Sequence, residues 1–183
     1  MIENVGYTTS QPSPIQRWIF LTLVVVAAVV LSPLVNGLFT FGEEFGWRAY
    51  LQPRLMPLGK RSTMLLMGII WGIWHWPAIA MGHNYGSDYA GAPWLGMIAM
   101  VWFTLLIGTF LGWAALRGAS VWPAVIGHGA INGISGLSLM FTQGDPNPLL
   151  GPMPTGFVAA AAWMVLAGVL LARSKAWRYE PEE

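Results

Sequence analysis

The hydrophobic positions of the chain fall into five long apolar stretches that are separated by short polar segments. The stretches cover, in order, residues 18–51, 62–81, 94–116, 121–141 and 155–172. Each stretch is close to or above the roughly 20 residues that a helix needs to cross about 30 Å of hydrocarbon. The pattern therefore predicts an all-α fold, a polytopic transmembrane helix bundle with about five spans.

The first apolar stretch is too long for one straight span. At ~1.5 Å per residue it would reach about 50 Å. We expect a break or bend at Pro33 or at Asn36–Gly37, because proline removes a backbone donor and glycine adds backbone freedom. Around the spans, residues 1–17 are expected to form a polar leader, 18–172 the transmembrane domain and 173–183 a tail in the cytoplasm.

Composition supports a membrane protein over a water-soluble one. Charged residues make up only 9% of the chain, against about 25% in a typical soluble domain. With 55% apolar residues, the expected partner of the surface is the lipid bilayer. The net charge of +1 argues against nucleic acid as a partner. The chain has no cysteine, which excludes disulfides and thiolate metal sites.

The basic residues are concentrated in alternate connections between the spans. Seven of the nine Lys and Arg residues lie there or in the tail: Arg54, Lys60, Arg61, Arg117, Arg173, Lys175 and Arg178. The other two connections contain Asp88 and Asp145 and no basic residue. Because cytoplasmic loops are enriched in Lys and Arg, we expect a multi-pass protein of the cell membrane with its N-terminus outside and its C-terminus in the cytoplasm. Arg17 then lies outside, and Arg48 lies within a span.

Ionisable side chains inside the spans occur in three of the five stretches. The first stretch contains GEEFGWR at 42–48, the second contains WGIWH at 71–75, and the fourth contains HGAIN at 128–132. A charged group within a bilayer costs several kcal/mol, so by default such residues mark a functional site. Three spans are therefore expected to carry the chemistry and two to serve as packing.

Helical spacing predicts how these side chains are oriented. Glu44 and Arg48 are four residues apart, so they share a helix face and are expected to form an ion pair. Glu43 is turned about 100° from Glu44 and is free to face another helix. His128 and Asn132 are also four apart and share a face.

The histidine of the second stretch lies on a face of small residues. Gly68, Gly72 and His75 follow an i, i+4, i+7 pattern, which lets another helix approach closely. Glu43 and His128 lie about 10–12 Å from the basic ends of their spans, and His75 lies nearer 20 Å. We expect these three side chains to meet in a cavity that opens toward the basic, cytoplasmic end. His83, in the connection after this stretch, is expected to be a solvated loop residue.

A carboxylate and two imidazoles in a shielded cavity can polarise water and stabilise an oxyanion. These groups suffice for amide hydrolysis without a covalent intermediate. No serine lies in a nucleophile-elbow pattern and cysteine is absent, so a covalent nucleophile is not indicated. An HExxH motif is also absent, which excludes an ordinary zincin.

The three polar segments resemble the signature motifs of the CAAX-protease and bacteriocin-processing family of intramembrane endopeptidases, also called the Abi family. That family carries EExxxR, FxxxH and HxxxN in this order. The motifs match Glu43, Glu44 and Arg48; Trp71 and His75; and His128 and Asn132. The resemblance covers roughly residues 36–140 and departs from the pattern at Trp71, where the family has Phe.

The resemblance implies a peptidase domain over 18–172 that acts on a peptide or protein substrate at the membrane. It implies that Glu43 is the general base, that His75 holds the water or shares its activation, and that His128 and Asn132 face the oxyanion. Glu44 and Arg48 would then fix the first helix and tune Glu43; as a buried ion pair they are equally compatible with a purely structural role.

Two questions stay open from the residues alone. Members of this family are described as metalloproteases, and Glu43, His75 and His128 match a His₂Glu zinc site. A metal-free glutamate mechanism fits as well, because Asn132 is an oxyanion donor and not a typical zinc ligand; the cofactor is thus either none or a divalent metal such as zinc. Two alternative functions remain. One is a catalytically idle binding or immunity protein on the same scaffold, and the other is a proton-coupled transporter.

Overall fold

A computed structural model describes residues 13–173 of the chain, apart from the side chains at 29 and 32. Within that range the chain forms helices and connecting turns, and no strand. The protein is thus an all-helical, polytopic membrane bundle, as predicted. Among the described residues, the helix Trp94–Arg117 and the helical run Trp122–Phe141, an α-helix to Ile134 followed by a 3₁₀ turn, are long and apolar enough to cross a membrane. Pro14–Val26 and Ala161–Arg173 are shorter apolar helices.

Helical segments occur in all five predicted stretches. The α-helices are α1 (Pro14–Val26), α2 (Ser32–Glu44), α3 (Gln52–Leu55), α4 (Lys60–Trp74), α5 (Trp76–Ala80), α6 (Trp94–Arg117), α7 (Trp122–Ile134) and α8 (Ala161–Arg173). The π-helical segments Ala27–Leu31 and Phe45–Leu51 connect α1 to α2 and α2 to α3, and the turns Met56–Leu58 and Leu137–Phe141 are 3₁₀-helical.

The first stretch is helical from Pro14 to Leu55 without interruption. The predicted break at Asn36–Gly37 is wrong, since both residues lie inside α2. The irregularities are instead the π-helical segments Ala27–Leu31, which ends two residues before Pro33, and Phe45–Leu51, which ends two residues before Pro53. The wider π turn accommodates a proline ring that has no N–H to give to the preceding turn.

Helix α1 begins four residues earlier than the apolar pattern indicates. The Ser13 hydroxyl accepts a hydrogen bond from the Gln16 N–H at 3.3 Å, and the Gln16 side-chain oxygen accepts one from the Ser13 N–H at 2.8 Å. This reciprocal capping box starts the helix at Pro14, within the segment predicted as a leader. Residues 1–12 of the predicted leader and 174–183 of the predicted tail lie outside the described residues.

Proline also interrupts the second stretch. Helix α4 ends at Trp74, and the predicted continuation to residue 81 is replaced by the separate short helix α5. Pro77 has no N–H for the carbonyl of Ile73, and its ring crowds that turn. The His75 N–H instead bonds to the Gly72 carbonyl at 3.2 Å, so the His75 imidazole stands at a helix end.

The fourth and fifth stretches are shorter as helices than predicted. Helix α7 ends at Ile134, and the Ser135 hydroxyl donates to the Asn132 carbonyl at 2.8 Å; such local bonds compete with the helical ladder. The fifth stretch is predicted from 155, but α8 begins at Ala161. The segment 151–156, GPMPTG, contains two prolines without N–H groups and forms turns instead.

Helices α4 and α6 pack in direct backbone contact along the predicted glycine face. A Cβ atom on Gly72 would lie 2.6 Å from the Val101 Cα, and one on Gly68 would lie 2.7 Å from the Leu105 Cα. The Thr104 hydroxyl lies 2.8 Å from the Gly68 carbonyl, to which it can donate. The prediction of a groove for another helix is confirmed, and the helix in the groove is α6.

Replacing Gly72 with Ala should destabilise the protein, because the new methyl group meets backbone that cannot move aside. Overpacking of this kind typically costs about 1–3 kcal/mol. Thermal unfolding in detergent measures the effect. Gly46→Ala is the matched control, since no atom lies within 4 Å of its Cβ position. Equal melting temperatures for the two variants would contradict close α4–α6 packing.

Polar contacts fix α2 against α7 and so set the position of the acidic pair. The Thr40 hydroxyl donates to the Val125 carbonyl at 3.2 Å, and the Asn36 amide donates to the Gly129 carbonyl at 3.3 Å. Thr40 and Val125 are buried. With α2 held in this register, the next turn of the helix brings Glu44 toward α7.

Candidate active site

A cavity of about 300 Å³ lies among α2, α4, α6 and α7. Its lining consists of Glu43, Trp71, His75, His83, Asn84, Met100, Phe103, Ile107, His128, Ile131, Asn132, Ser135, Pro154 and Thr155. Four of the six residues that the sequence singled out, Glu43, His75, His128 and Asn132, therefore share one cavity. The other two, Glu44 and Arg48, are buried beside it.

Glu43 reaches the cavity with one carboxylate oxygen held by an indole. The Trp71 Nε1–H donates to the Glu43 Oε2 at 3.3 Å. Glu43 is half-buried while Trp71 is buried. Because Glu43 and Glu44 are turned about 100° apart around the helix, their side chains meet different partners. The Glu43 side chain faces α4 and the cavity.

Glu44 connects three helical segments through a single oxygen. Its Oε1 accepts from the Arg48 Nη1 at 2.9 Å and from the His128 Nδ1 at 2.8 Å. The predicted Glu44–Arg48 ion pair is present, and the carboxylate side chain is fully buried. The contact with His128 was not foreseen. Because a carboxylate accepts, the His128 Nδ1 carries the proton, and its Nε2 is the nitrogen left for the cavity.

Arg48 and Trp71 bring the two acidic positions into one network. The Arg48 guanidinium carbon lies 4.6 Å from the centroid of the Trp71 ring, which is a cation–π distance. The same ring meets the His128 ring edge-on, with centroids 5.2 Å apart. Trp71 therefore contacts Glu43, Arg48 and the imidazoles of both His75 and His128.

His75 is oriented by the backbone of its own helix. Its Nδ1 lies 2.7 Å from the Trp71 carbonyl oxygen. Since a carbonyl can only accept, Nδ1 is the donor, and the neutral imidazole keeps its lone pair on Nε2. The half-buried His75 ring thus offers an acceptor for a water molecule.

Asn132 lies one turn after His128 on the same face of α7, as its spacing predicts. It lines the cavity and is the exposed member of the set, whereas His128 is buried. An amide at this position offers an N–H donor next to the two imidazoles.

His83 and Asn84 are cavity residues that sequence reasoning did not assign. His83 is exposed, as expected for a loop, but it also lines the cavity, so the interpretation as a merely solvated residue is incomplete. Asn84 has a positive φ of 66°, a conformation that asparagine tolerates better than most residues. No spacing rule links this connection to the motifs, which is why it was missed.

Thr155 closes the same side of the cavity from a segment far along the chain. It is buried, and within residues 13–173 its hydroxyl has no hydrogen-bond partner. The Tyr85 hydroxyl donates to the Thr155 carbonyl at 2.9 Å and so joins two connections. Burial raises the pKa of the Tyr85 phenol, which keeps it a donor at neutral pH.

The cavity reaches the two connections without Lys or Arg, which contribute His83, Asn84, Pro154 and Thr155 to its lining. Glu43 lies toward the opposite, basic end of its helical run. The expectation that the cavity opens toward the basic end therefore stays a prediction. His75 lies at the opposite end of α4 from Lys60. This position explains why the sequence placed His75 farther from the basic end of its span than Glu43 and His128.

The side chains as arranged do not form a metal site. Among residues 13–173, no three His, Asp or Glu side chains are grouped so that they could hold a metal ion. Glu43 is held toward Trp71, whereas both histidines give Nδ1 to protein acceptors and keep Nε2 for the cavity, as metal-binding histidines do. The candidate set Glu43, His75 and His128 thus has the chemistry of a His₂Glu zinc site, but among residues 13–173 these side chains are not grouped as one.

The fold and the cavity define a helical membrane protein with acid–base side chains inside the bundle, and comparison with known proteins identifies its family. The family model for the Type II CAAX prenyl endopeptidase Rce1-like family matches residues 14–134, which include all three motifs. The chain belongs to this family, whose members are endopeptidases of the membrane.

One curated relative supports this assignment. The CAAX prenyl protease 2 of Methanococcus maripaludis is 34% identical over 96 residues, which cover 49% of this chain and 34% of the relative. The matched part thus spans about a third of the relative's length. No solved structure matches the chain.

Proposed function

We propose that the chain is an intramembrane endopeptidase that uses glutamate-activated water to hydrolyse peptide bonds of peptides or protein C-termini presented at the membrane. The observation that carries the proposal is the shared cavity of Glu43, His75, His128 and Asn132. Membership in a family of endopeptidases supports it.

Glu43 is the general base in this proposal. Its Oε2 is held by the Trp71 indole, which leaves Oε1 to accept a proton from water. A base held within hydrogen-bond reach of its proton contributes about 10²–10⁴ in rate. The His75 Nε2 lone pair accepts the second hydrogen bond of the water and orients its oxygen toward the substrate carbonyl.

His128 and Asn132 stabilise the oxyanion. As the water oxygen bonds to the carbonyl carbon, the carbonyl oxygen becomes negative, and the Asn132 amide and the protonated His128 Nε2 donate to it. Glu44 balances the charge of that imidazolium through Nδ1. The C–N bond then breaks, and Glu43 returns its proton to the leaving amine.

Reporter cleavage in detergent tests the proposal, with a membrane-anchored peptide as substrate. Wild type should cleave it, and His128→Ala and Asn132→Ala should each lower turnover by about 10²–10³, as expected when an oxyanion donor is lost. Gln143→Ala removes an exposed side-chain amide outside the cavity and should keep full turnover.

Two results would change this conclusion. A folded wild-type protein that cleaves no reporter, in the presence or absence of divalent metal ions, would favour a catalytically idle binding protein. Activity that is lost with a chelator and restored by zinc would replace the metal-free mechanism by a metal-dependent one on the same residues.

A further inference from the structure

One polar group in the wall of the cavity is buried without a partner. Thr155 is 5% exposed and lines the cavity, and within residues 13–173 its hydroxyl has no hydrogen-bond partner. Four other buried threonines of this range each have a backbone carbonyl within hydrogen-bond distance of the hydroxyl: Thr40, Thr63, Thr104 and Thr109. The Thr155 hydroxyl is an exception that needs a reason, because an unsatisfied buried donor costs stability.

The unpartnered hydroxyl stands on a backbone that is held from two sides. Tyr85 is buried, and its hydroxyl donates to the Thr155 carbonyl at 2.9 Å. On the other side, the Gly156 N–H donates to the Met153 carbonyl at 2.9 Å. A Cβ atom on Gly156 would lie 2.5 Å from the Gly151 nitrogen, so the turn closes without room for a side chain there. The position of Thr155 is therefore set by the protein itself.

Asn84 brings a second polar group to the same cavity from the connection between α5 and α6. Its side-chain nitrogen lies 3.7 Å from the Met100 sulfur, and a thioether is only a weak acceptor. The Asn84 amide can therefore exchange this contact for a stronger one. Because Tyr85, the next residue, bonds to the Thr155 carbonyl, the hydroxyl and the amide lie on neighbouring segments.

We infer that the Thr155 hydroxyl and the Asn84 side-chain amide bind a main-chain amide of the substrate, which is a peptide on the proposed function. A main-chain amide has one N–H donor and one carbonyl acceptor, and a hydroxyl and a side-chain amide can each donate and accept. Rotation about the Thr155 χ1 angle, which has three staggered positions, turns the hydroxyl toward a group in the cavity. Since neither side chain is charged, the site recognises peptide backbone and requires no charged substrate side chain.

Thr155→Val tests the inference, because valine has nearly the same shape and lacks the hydroxyl. In reporter cleavage in detergent, KM should rise about 2–10-fold, the range for a lost neutral hydrogen bond, while kcat stays unchanged. An interaction made equally in the ground state and the transition state affects KM alone. The melting temperature without substrate should equal or exceed that of wild type, because the substitution removes an unsatisfied buried group.

Two matched variants control for packing. Thr155→Ser keeps the hydroxyl and should keep the KM of wild type. Thr63→Val removes a hydroxyl that lies 2.7 Å from the Leu55 carbonyl, outside the cavity, so it should lower the melting temperature and leave KM unchanged. A lower melting temperature for Thr155→Val would show that its hydroxyl is bound within the free protein, for instance to an internal water, and would overturn the inference. An equal rise of KM in Thr155→Ser would do the same.

Asn84→Gly tests the second group. Glycine adopts the positive φ of 66° at this position without strain, and it lacks the amide. KM should again rise about 2–10-fold at unchanged kcat. A KM equal to that of wild type would remove Asn84 from the site and refute the arrangement of two groups.

Binding measured without cleavage separates this inference from the proposed function. In the Glu43→Gln background, the fluorescence anisotropy of a labelled reporter peptide gives Kd, and adding Thr155→Val should raise Kd by the same factor as KM. If wild type cleaves no reporter but Thr155→Val weakens binding, the peptidase proposal fails and the peptide site stands. If wild type cleaves and Thr155→Val leaves KM and Kd unchanged, the peptidase stands and the peptide site is refuted.

Discussion

Glu43→Gln should lower cleavage by about 10²–10⁴ while the protein still folds and inserts, because a general base contributes that much to the rate. The glutamine side chain has nearly the same shape, and its oxygen can still accept from the Trp71 indole, which bonds to Glu43 at 3.3 Å. It has no basic oxygen to take a proton from water. The substitution therefore removes the proton acceptor and keeps the packing of the side chain.

Single-turnover cleavage in detergent measures the effect, and a thermal melt of the same sample confirms folding. Asp88→Asn is the matched control: it neutralises an exposed carboxylate outside the cavity and should leave both readouts unchanged. Near-normal cleavage by a well-folded Glu43→Gln protein would refute the assignment of the base.

The parts of the site that follow from helical periodicity were predictable from the sequence. The 100° turn between adjacent residues separates Glu43, which reaches the cavity, from Glu44, which pairs with Arg48. The four-residue spacing brings His128 and Asn132 to the same cavity. The glycine face before His75 likewise predicted the close approach of another helix, although it gave no indication that the helix would be α6.

Contacts between segments distant in the chain were not predictable. The bond from His128 to Glu44 joins residues on α7 and α2, and Thr155 reaches the cavity from a turn after the fourth stretch. No local pattern encodes such contacts, because they depend on how the helices pack. The departure of Trp71 from the family's Phe was visible in the sequence; its consequence, a hydrogen bond to Glu43, was not.

Proline explains why the helix boundaries differ from the apolar stretches. Hydropathy does not register the missing N–H of Pro77, which ends α4 before His75. It also does not register the turns that occupy the residues before α8, which begins at Ala161. The break after Trp74 matters for the site, because it places the His75 ring beside the connection that carries His83.

Glu44→Gln should have the largest effect on stability, because it leaves the Arg48 guanidinium buried without its counter-charge. Removing one partner of a buried ion pair typically costs about 3–5 kcal/mol. Both side chains of this pair are almost completely buried, and the Nη1–Oε1 distance is 2.9 Å. The variant should therefore melt far below wild type in detergent. The control Arg54→Gln removes an exposed guanidinium and should keep the melting temperature of wild type.

The double variant Glu44→Gln with Arg48→Met separates the structural role of Glu44 from its role in positioning His128. Arg48→Met removes the buried guanidinium that Glu44→Gln leaves without a counter-charge, so the double variant should melt at a higher temperature than Glu44→Gln alone. Cleavage should stay low, because the His128 Nδ1, which lies 2.8 Å from the Glu44 Oε1 in the native protein, then lacks a charged acceptor. Recovery of both stability and turnover would show that Glu44 serves only to neutralise Arg48.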